Sequence, residues 1–473
     1  MDVRLLKFTA YAFGCALFVI SSGCVSYKPP PAVIHADNYT AESESEQRRL
    51  PADNSVLTVN EAVNIALANN PTYQIARLTM VSAYALYYKS LSVFSPTLGI
   101  NYGQTWTQGR SSGNSRGTRG NSSTGYLGMN YTAFNGMQDV FGALNAVATA
   151  KQNEYAYRNA RRVLVRATRV QYYTVLLDRA NIQIALGNEI FQEQMVNDEQ
   201  LKYDAGATSL SQVLNFKIDR NDAQTALIKN KADYQIDRYL LAQYMGLTTA
   251  NIPPEVRFPP IEVVANSEFS MGVEFYLDLA INQRPDLRAE KEALKAAKYA
   301  LYQSWGAFSP TVDISMDYGF SAGVGGSGAM GGAMAPTGPD GINTYNYGWA
   351  ANWSLWEGGS RIFNVRSNMA LYDAQKETLL QRWIDVVTSV RQWYVHLNMS
   401  IAVRKIQAQT LQLARQRRDL VREEYNAGNQ DIATLNQAQL NLIRSETDYV
   451  TAVISVAKDR ARLAAACGGL KDL

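Results

Sequence analysis

The chain carries one pattern of residues twice, so any fold it adopts has to be assembled from two like halves. A shift of 214 residues lays Pro71, Ala83, Tyr88, Ser90 and Phe94-Ser95-Pro96-Thr97 on Pro285, Ala297, Tyr302, Ser304 and Phe308-Ser309-Pro310-Thr311 without a gap. Past a variable loop, a shift of 222 lays Gly136, Phe141, Arg169, Tyr172, Tyr203, Ala205, Gly206 and Gly246 on Gly358, Phe363, Arg391, Tyr394, Tyr425, Ala427, Gly428 and Gly468. Each copy reads as a helical stretch, a Pro break, two strands about a Gly-rich loop, a very long helix, a short turn and a closing helix. This predicts repeat 1 over 57–247 and repeat 2 over 269–469. The linker 248–268 contains Pro253, Pro254, Pro259 and Pro260, which favour extended backbone over helix. Thr58 and Glu61 have capping-box spacing at the start of the first helix.

After Pro96 and Pro310 the spacing changes from helical to alternating. Leu98, Ile100, Tyr102 and Trp106 share one parity, as do Leu127, Met129, Tyr131 and Ala133, which predicts a β-hairpin over 97–134. In the second copy Val312, Ile314, Met316, Tyr318 and Phe320 alternate with Asp313, Ser315, Asp317 and Gly319. The return strand sets Tyr345, Tyr347, Trp349, Ala351, Trp353 and Leu355 against small or polar residues, which predicts a hairpin over 311–356. Period two over about ten residues with aromatics near the ends is the pattern of barrel strands facing lipid on one side and water on the other. A pair of soluble hairpins with one buried face gives the same alternation. Loops rich in Gly and Ser are expected at Gln108–Gly125 and Ser321–Asn343. Gly323, Gly325 and Gly328 form a GxGxxG between two strands, outside the strand-to-helix setting in which it binds nucleotides.

Four strands cannot close a barrel, and an open edge is not viable in lipid, so other copies must complete the sheet. Eight strands largely fill their own interior, whereas twelve leave a lumen, which makes a trimer the simplest hollow solution. The expected fold is therefore an α+β membrane protein with four transmembrane strands per chain.

Met137 to Asp204 holds no Pro, nor does Ser360 to Asn426, so two helices of roughly 100 Å are expected. Val163, Ala167, Val170, Thr174 and Leu177, and Val387, Val390, Tyr394, Leu397 and Ile401, follow a coiled-coil-like seam whose role is packing. Each long helix runs into a matching turn, Tyr203-Asp204-Ala205-Gly206 and Tyr425-Asn426-Ala427-Gly428, where Gly supplies a left-handed stop. Return helices then start at the N-caps Ser209 and Asp431.

Arg4 and Lys7, the apolar run Phe8 to Ile20, and Ser21-Ser22-Gly23-Cys24 mark residues 1–23 as a secretory signal peptide. The small residues before Cys24 resemble the bacterial lipoprotein box, in which the cysteine is acylated, with palmitate among its acyl chains, and becomes the mature first residue. An ordinary signal cleaved nearby is the alternative. In the lipoprotein class, Val25 in place of Asp implies sorting to the outer membrane. Residues 24–56, rich in Pro and charge, read as an extended tether. The 45 Lys and Arg against 42 Asp and Glu indicate no nucleic-acid partner. With only two His, no metal, cofactor or catalytic site is expected.

The signal, the two copies, the hairpins and the Tyr-x-x-Gly turns, in this order, resemble the outer-membrane efflux proteins of the TolC family over nearly all of the mature chain. The resemblance implies a trimeric twelve-stranded barrel continuous with a helical tunnel across the periplasm. It implies docking to a periplasmic adaptor (membrane fusion) protein, power from an inner-membrane pump, and no catalysis. Adaptor contacts would fall at Tyr203, Ala205, Gly206, Tyr425, Ala427 and Gly428. Many relatives narrow the periplasmic entrance with acidic residues on the last return helix. The aligned positions here are Thr434 and Gln437, so the amides and hydroxyl of Thr434, Asn436 and Gln437 are the closing candidates. Asp204 and Asp431 are nearby carboxylates that also read as a helix end and a cap. The same resemblance fits a duct of type I protein secretion. A periplasmic coiled-coil lipoprotein without a pore is the alternative from another class.

Overall fold

The computed structural model describes residues 56–109, 118–260, 271–324 and 342–469. They belong to the second of two compact units, 1–47 and 48–473. The signal peptide, Cys24, the tether before Val56 and most of both hairpin loops lie outside the described residues.

Helix α1 (Val59–Asn69) opens with the expected capping box: the Thr58 N–H donates to Glu61 Oε2 at 2.8 Å and the Glu61 N–H to Thr58 Oγ1 at 3.3 Å. Helix α2 (Pro71–Leu91) starts on Pro, with Asn70 accepting from the Tyr73 N–H. Strands β1 (Thr97–Gly109) and β2 (Thr118–Phe134) lead into α3 (Gln138–Asp204) and α4 (Leu210–Met245). Then come α5 (Val273–Gln283), α6 (Pro285–Gly306), β3 (Thr311–Val324), β4 (Ile342–Asn352), α7 (Ser360–Asn426) and α8 (Ile432–Ala466). Helices α3 and α7 each have 67 residues, about 100 Å of rise. Helix α3 packs on α4 and α7 on α8, while α8 and α6 also contact α3.

The four strands form one antiparallel sheet in the order β1-β2-β3-β4. Its register collects the alternating residues of all four strands on a single face. Ile100, Leu127, Tyr318 and Tyr345 line up across it, as do Leu98, Met129, Met316 and Tyr347, and Tyr131, Ile314 and Trp349. This face is bare: Leu98 is 69% exposed and Tyr347 84%. The other face carries Gly99, Gly128, Asp317 and Asn346 in one row and Thr132, Asp313 and Ala350 in another. Gly125 is a notch in the apolar face. The Phe320 ring lies where its Cβ would stand, and the rings of Tyr102 and Phe320 approach to 6.5 Å beside it.

Three expectations are corrected. Strand β2 begins at Thr118, inside the stretch expected as a loop to Gly125, because its small polar residues carry the main-chain ladder out to Gly109↔Thr118. Strand β4 stops at Asn352 rather than 356. The residue next to its last partner, Thr311, is Pro310, which has no N–H to donate, and the Trp353 indole bonds the Phe308 carbonyl instead at 3.0 Å. On α3 the buried stripe is Leu164, Thr168, Tyr172, Val175 and Leu176, one or two residues off the expected seam; Val163 is 38% exposed, while Leu177 of that seam packs half-buried against the core. Tyr172 sets this phase: its hydroxyl donates to the Leu57 carbonyl at 2.7 Å, so a polar-tipped ring sits at the core centre.

Leu57, Ile252 and Phe258 join Tyr172, Leu176 and Leu241 in one core, so the Pro-rich segment is packed against the helices over its described part. A second core joins α5, α7 and α8 through Tyr276, Val386, Leu397 and Leu463. The end of α8 is pinned by a buried ion group. Arg284 grips Asp286 with two hydrogen bonds, 2.9 and 2.5 Å, and donates to the Ala466 carbonyl; Arg162 donates to the Ala465 carbonyl at 2.7 Å. Two guanidiniums at a helix C-terminus match the negative end of its dipole. Burial opposes the Asp286 charge, but Arg284 and Arg162 outweigh it and hold the carboxyl below the usual range.

Candidate functional site

The two turns that join α3 to α4 and α7 to α8 are built alike. Gly206 and Gly428 adopt φ of 73° and 77°. The Ala207 N–H reaches back to the Lys202 carbonyl at 2.8 Å, and the Asn429 N–H to the Glu424 carbonyl at 2.9 Å. Each turn thus satisfies the orphan carbonyls of its long helix through one left-handed glycine. Ser209 and Asp431 cap the return helices, accepting from the Gln212 and Ala433 N–H groups.

Beneath the turns lies a third core in which Phe191, Met195 and Val196 of α3 meet Phe216 of α4, Val421 of α7, and Ile432, Leu435 and Ala438 of α8. The two helical hairpins therefore end as one body. Tyr203, Asp204, Ala205, Gly206, Ala427 and Gly428 are exposed at this end, with Leu201 and Leu210 bare beside them. Tyr425 is different, being half-buried in a link between the turns.

That link centres on Lys202, which sequence spacing did not single out. Its ammonium lies 4.5 Å from the Tyr425 ring centroid, donates to the Tyr425 hydroxyl, and pairs with buried Glu199 at 2.9 Å. Burial works against the charge, yet the Tyr425 hydroxyl and Glu199 outweigh it and raise the Lys202 pKa. The one signal in the sequence was a cation in the last turn of a helix, three residues after an acid.

The entrance candidates separate. Asn436 is tied inward, donating to Asp219 of α4 at 2.8 Å and accepting from Gln192 of α3 at 2.9 Å. Gln437 is exposed and donates to Asn441 within its own helix; Thr434 is half-buried in the first turn of α8. Asp204 accepts from Gln200 and Asp431 from the Ala433 N–H, so both carboxylates have the local roles of helix end and cap. Among the described residues no group of His, Cys, Asp and Glu is arranged to hold a metal ion. Cys467 is buried at the end of α8, where burial pushes its thiol up to about 12.

A bare apolar sheet mounted on helical hairpins that end in paired turns is the plan of an outer membrane channel. The chain belongs to the outer membrane efflux protein family, whose sequence pattern matches residues 62–247 and 276–469. Its fold is shared with solved channels of low identity. The Campylobacter jejuni CmeC outer membrane channel is 17% identical, with 94% of each chain covered and a TM-score of 0.75. The outer membrane protein VceC of Vibrio cholerae is 17% identical over 87% of this chain and 96% of its own, at 0.72. The Neisseria gonorrhoeae MtrE outer membrane channel, solved in an open state, is 16% identical over 90% and 94%, at 0.71.

Proposed function

We propose that this efflux channel protein works as a passive homotrimeric exit duct. Three four-stranded sheets join into a twelve-stranded barrel in the outer membrane, continuous with a helical tunnel through the periplasm. The observation that carries this reading is the sheet itself: one face apolar and exposed across four strands, the other polar, and both edges, β1 and β4, unpaired among the described strands. Bare apolar area on this scale marks a membrane or partner surface, and in lipid each free edge demands another strand. The strands, 13, 17, 14 and 11 residues long, each suffice to cross a bilayer.

On this reading the two family matches reflect an internal duplication, repeats 57–247 and 269–469 about the segment 248–268. Residues 1–23 are the signal, and Cys24, carrying acyl chains such as palmitate, anchors the tether to outer-membrane lipid. The turn residues Tyr203, Ala205, Gly206, Tyr425, Ala427 and Gly428 meet a periplasmic adaptor that couples the duct to an inner-membrane pump. Thr434, Asn436, Gln437, Asp204 and Asp431 surround the entrance, and the duct uses no cofactor and no catalysis. Purified protein in planar bilayers is expected to give discrete conductance steps and to run as a trimer in mild detergent; soluble monomer without conductance would refute the duct. For the anchor, Cys24→Ala should abolish incorporation of labelled palmitate, and unchanged labelling rules it out.

A further inference from the structure

Roughly 55 Å along α3 from its tip, a cleft of about 690 Å³ opens between α1, α3 and the end of α8. Its lining holds five arginines, Arg158, Arg161, Arg162, Arg166 and Arg169, and no carboxylate. Two of them are engaged: Arg158 pairs with Glu154 at 2.6 Å, and Arg162 is held by Asn159, the Ala465 carbonyl and Asp286. Arg161, Arg166 and Arg169 make no ion pair or hydrogen bond with the described residues, and the Arg169 Nε is buried without an acceptor. The crowding is felt inside the cluster. Burial, with the charges of Arg284 and Arg166, lowers Arg162 to about 10 in spite of Asp286. Three guanidiniums with no partner among the described residues, beside a sheltered floor, make a surface that attracts carboxylates, which arginine binds in two-pronged fashion.

The shape of the cleft narrows the class of ligand. From Arg158 to Arg169 the helix rises about 16 Å, the span of roughly five residues of extended peptide. Val63, Leu67 and Val165 give the cleft apolar wall, and Asn60 and Asn64, one turn apart on α1, offer amides that match a peptide backbone. A lone phosphate would use one end of such a row and leave the rest bare. We infer that this cleft is a docking site for an extended acidic peptide segment of a partner protein, separate from the tips.

The test uses the intact detergent-solubilised trimer and a fluorescein-labelled pentapeptide, Asp-Val-Glu-Leu-Glu, read by anisotropy. Saturable binding is expected, weakened by raised salt and by about tenfold or more when the acids are replaced by their amides. Arg166→Gln with Arg169→Gln should weaken it as much. Equal binding of acidic and amide peptides, or no saturable binding to the wild-type trimer, would overturn the assignment. So would displacement by inorganic phosphate as potent as the peptide, which makes this a phosphate site. Dissociation of the trimer in the double variant would also overturn it, by giving the cleft to a neighbouring copy. Because the amide comparison uses wild-type protein, the test stands even where a variant fails to fold.

Discussion

At the scale of single residues, the helical part places polar groups in apolar surroundings and matches some of them locally. Tyr172 keeps its hydroxyl on the Leu57 carbonyl, a bond of about 1 kcal/mol net, while the cost of leaving that carbonyl bare would be larger. Asp178 on α3 is less settled. Burial first, then the facing carboxylate of Asp237 on α4, with Asp233 adding, push it up to about 7, while Lys458 of α8 pulls the other way. A carboxyl raised above its unfolded value of 3.8 contributes stability that is full below that value and lost as pH rises through about 7. Asp178→Asn is therefore expected to flatten the fall in stability between about pH 4 and 7 and to leave the variant relatively more stable at pH 8. Melting curves across that range would check it, and an unchanged slope would rule it out. None of these roles was legible in the sequence. A hydroxyl or carboxylate on α3 looks the same whether it meets water or another helix, and only the fold supplies Leu57 and Asp237.

At the scale of elements, legibility was high where one local force decides. Pro310 precedes the start of β3, Gly206 and Gly428 end helices, and Thr58 with Glu61 begins one, as their spacing foretold. It was poor where pairing decides: Thr118 to Thr124 have no apolar alternation, yet β1 and β3 hold them in the ladder. Lys202 was missed for the same reason, since Tyr425 lies on another element and more than two hundred positions away. The paired turns carry a prediction of their own. A Cβ on Gly206 or Gly428 meets no heavy atom within 4 Å, so substitution there strains only the backbone, by about 1 to 2 kcal/mol each. Gly206→Val with Gly428→Val should reduce dye export from cells by reshaping the proposed docking turns while the proposed trimer survives on a gel. Export at the wild-type rate would remove the turns from the adaptor contact.

For the whole molecule, the polar face of the sheet becomes the lumen wall of the proposed barrel. Among its described residues the only charges are Asp313, held by the Thr132 hydroxyl at 2.8 Å, and Asp317, lying over Gly128. Three copies make two acidic rings, and rings of aspartate favour cations. Under a salt gradient, the reversal potential should show cation preference, and Asp313→Asn with Asp317→Asn should move it toward zero. A double variant with undiminished preference would place the selectivity elsewhere.

On the proposed trimeric barrel, the unpaired edges of β1 and β4 would also shape biogenesis. A lone chain that entered the bilayer would strand main-chain donors and acceptors in hydrocarbon, so insertion and closure become one cooperative event, steeply dependent on chain concentration in the periplasm. Incomplete assemblies are then excluded from the membrane by the same energetics that favour the complete one.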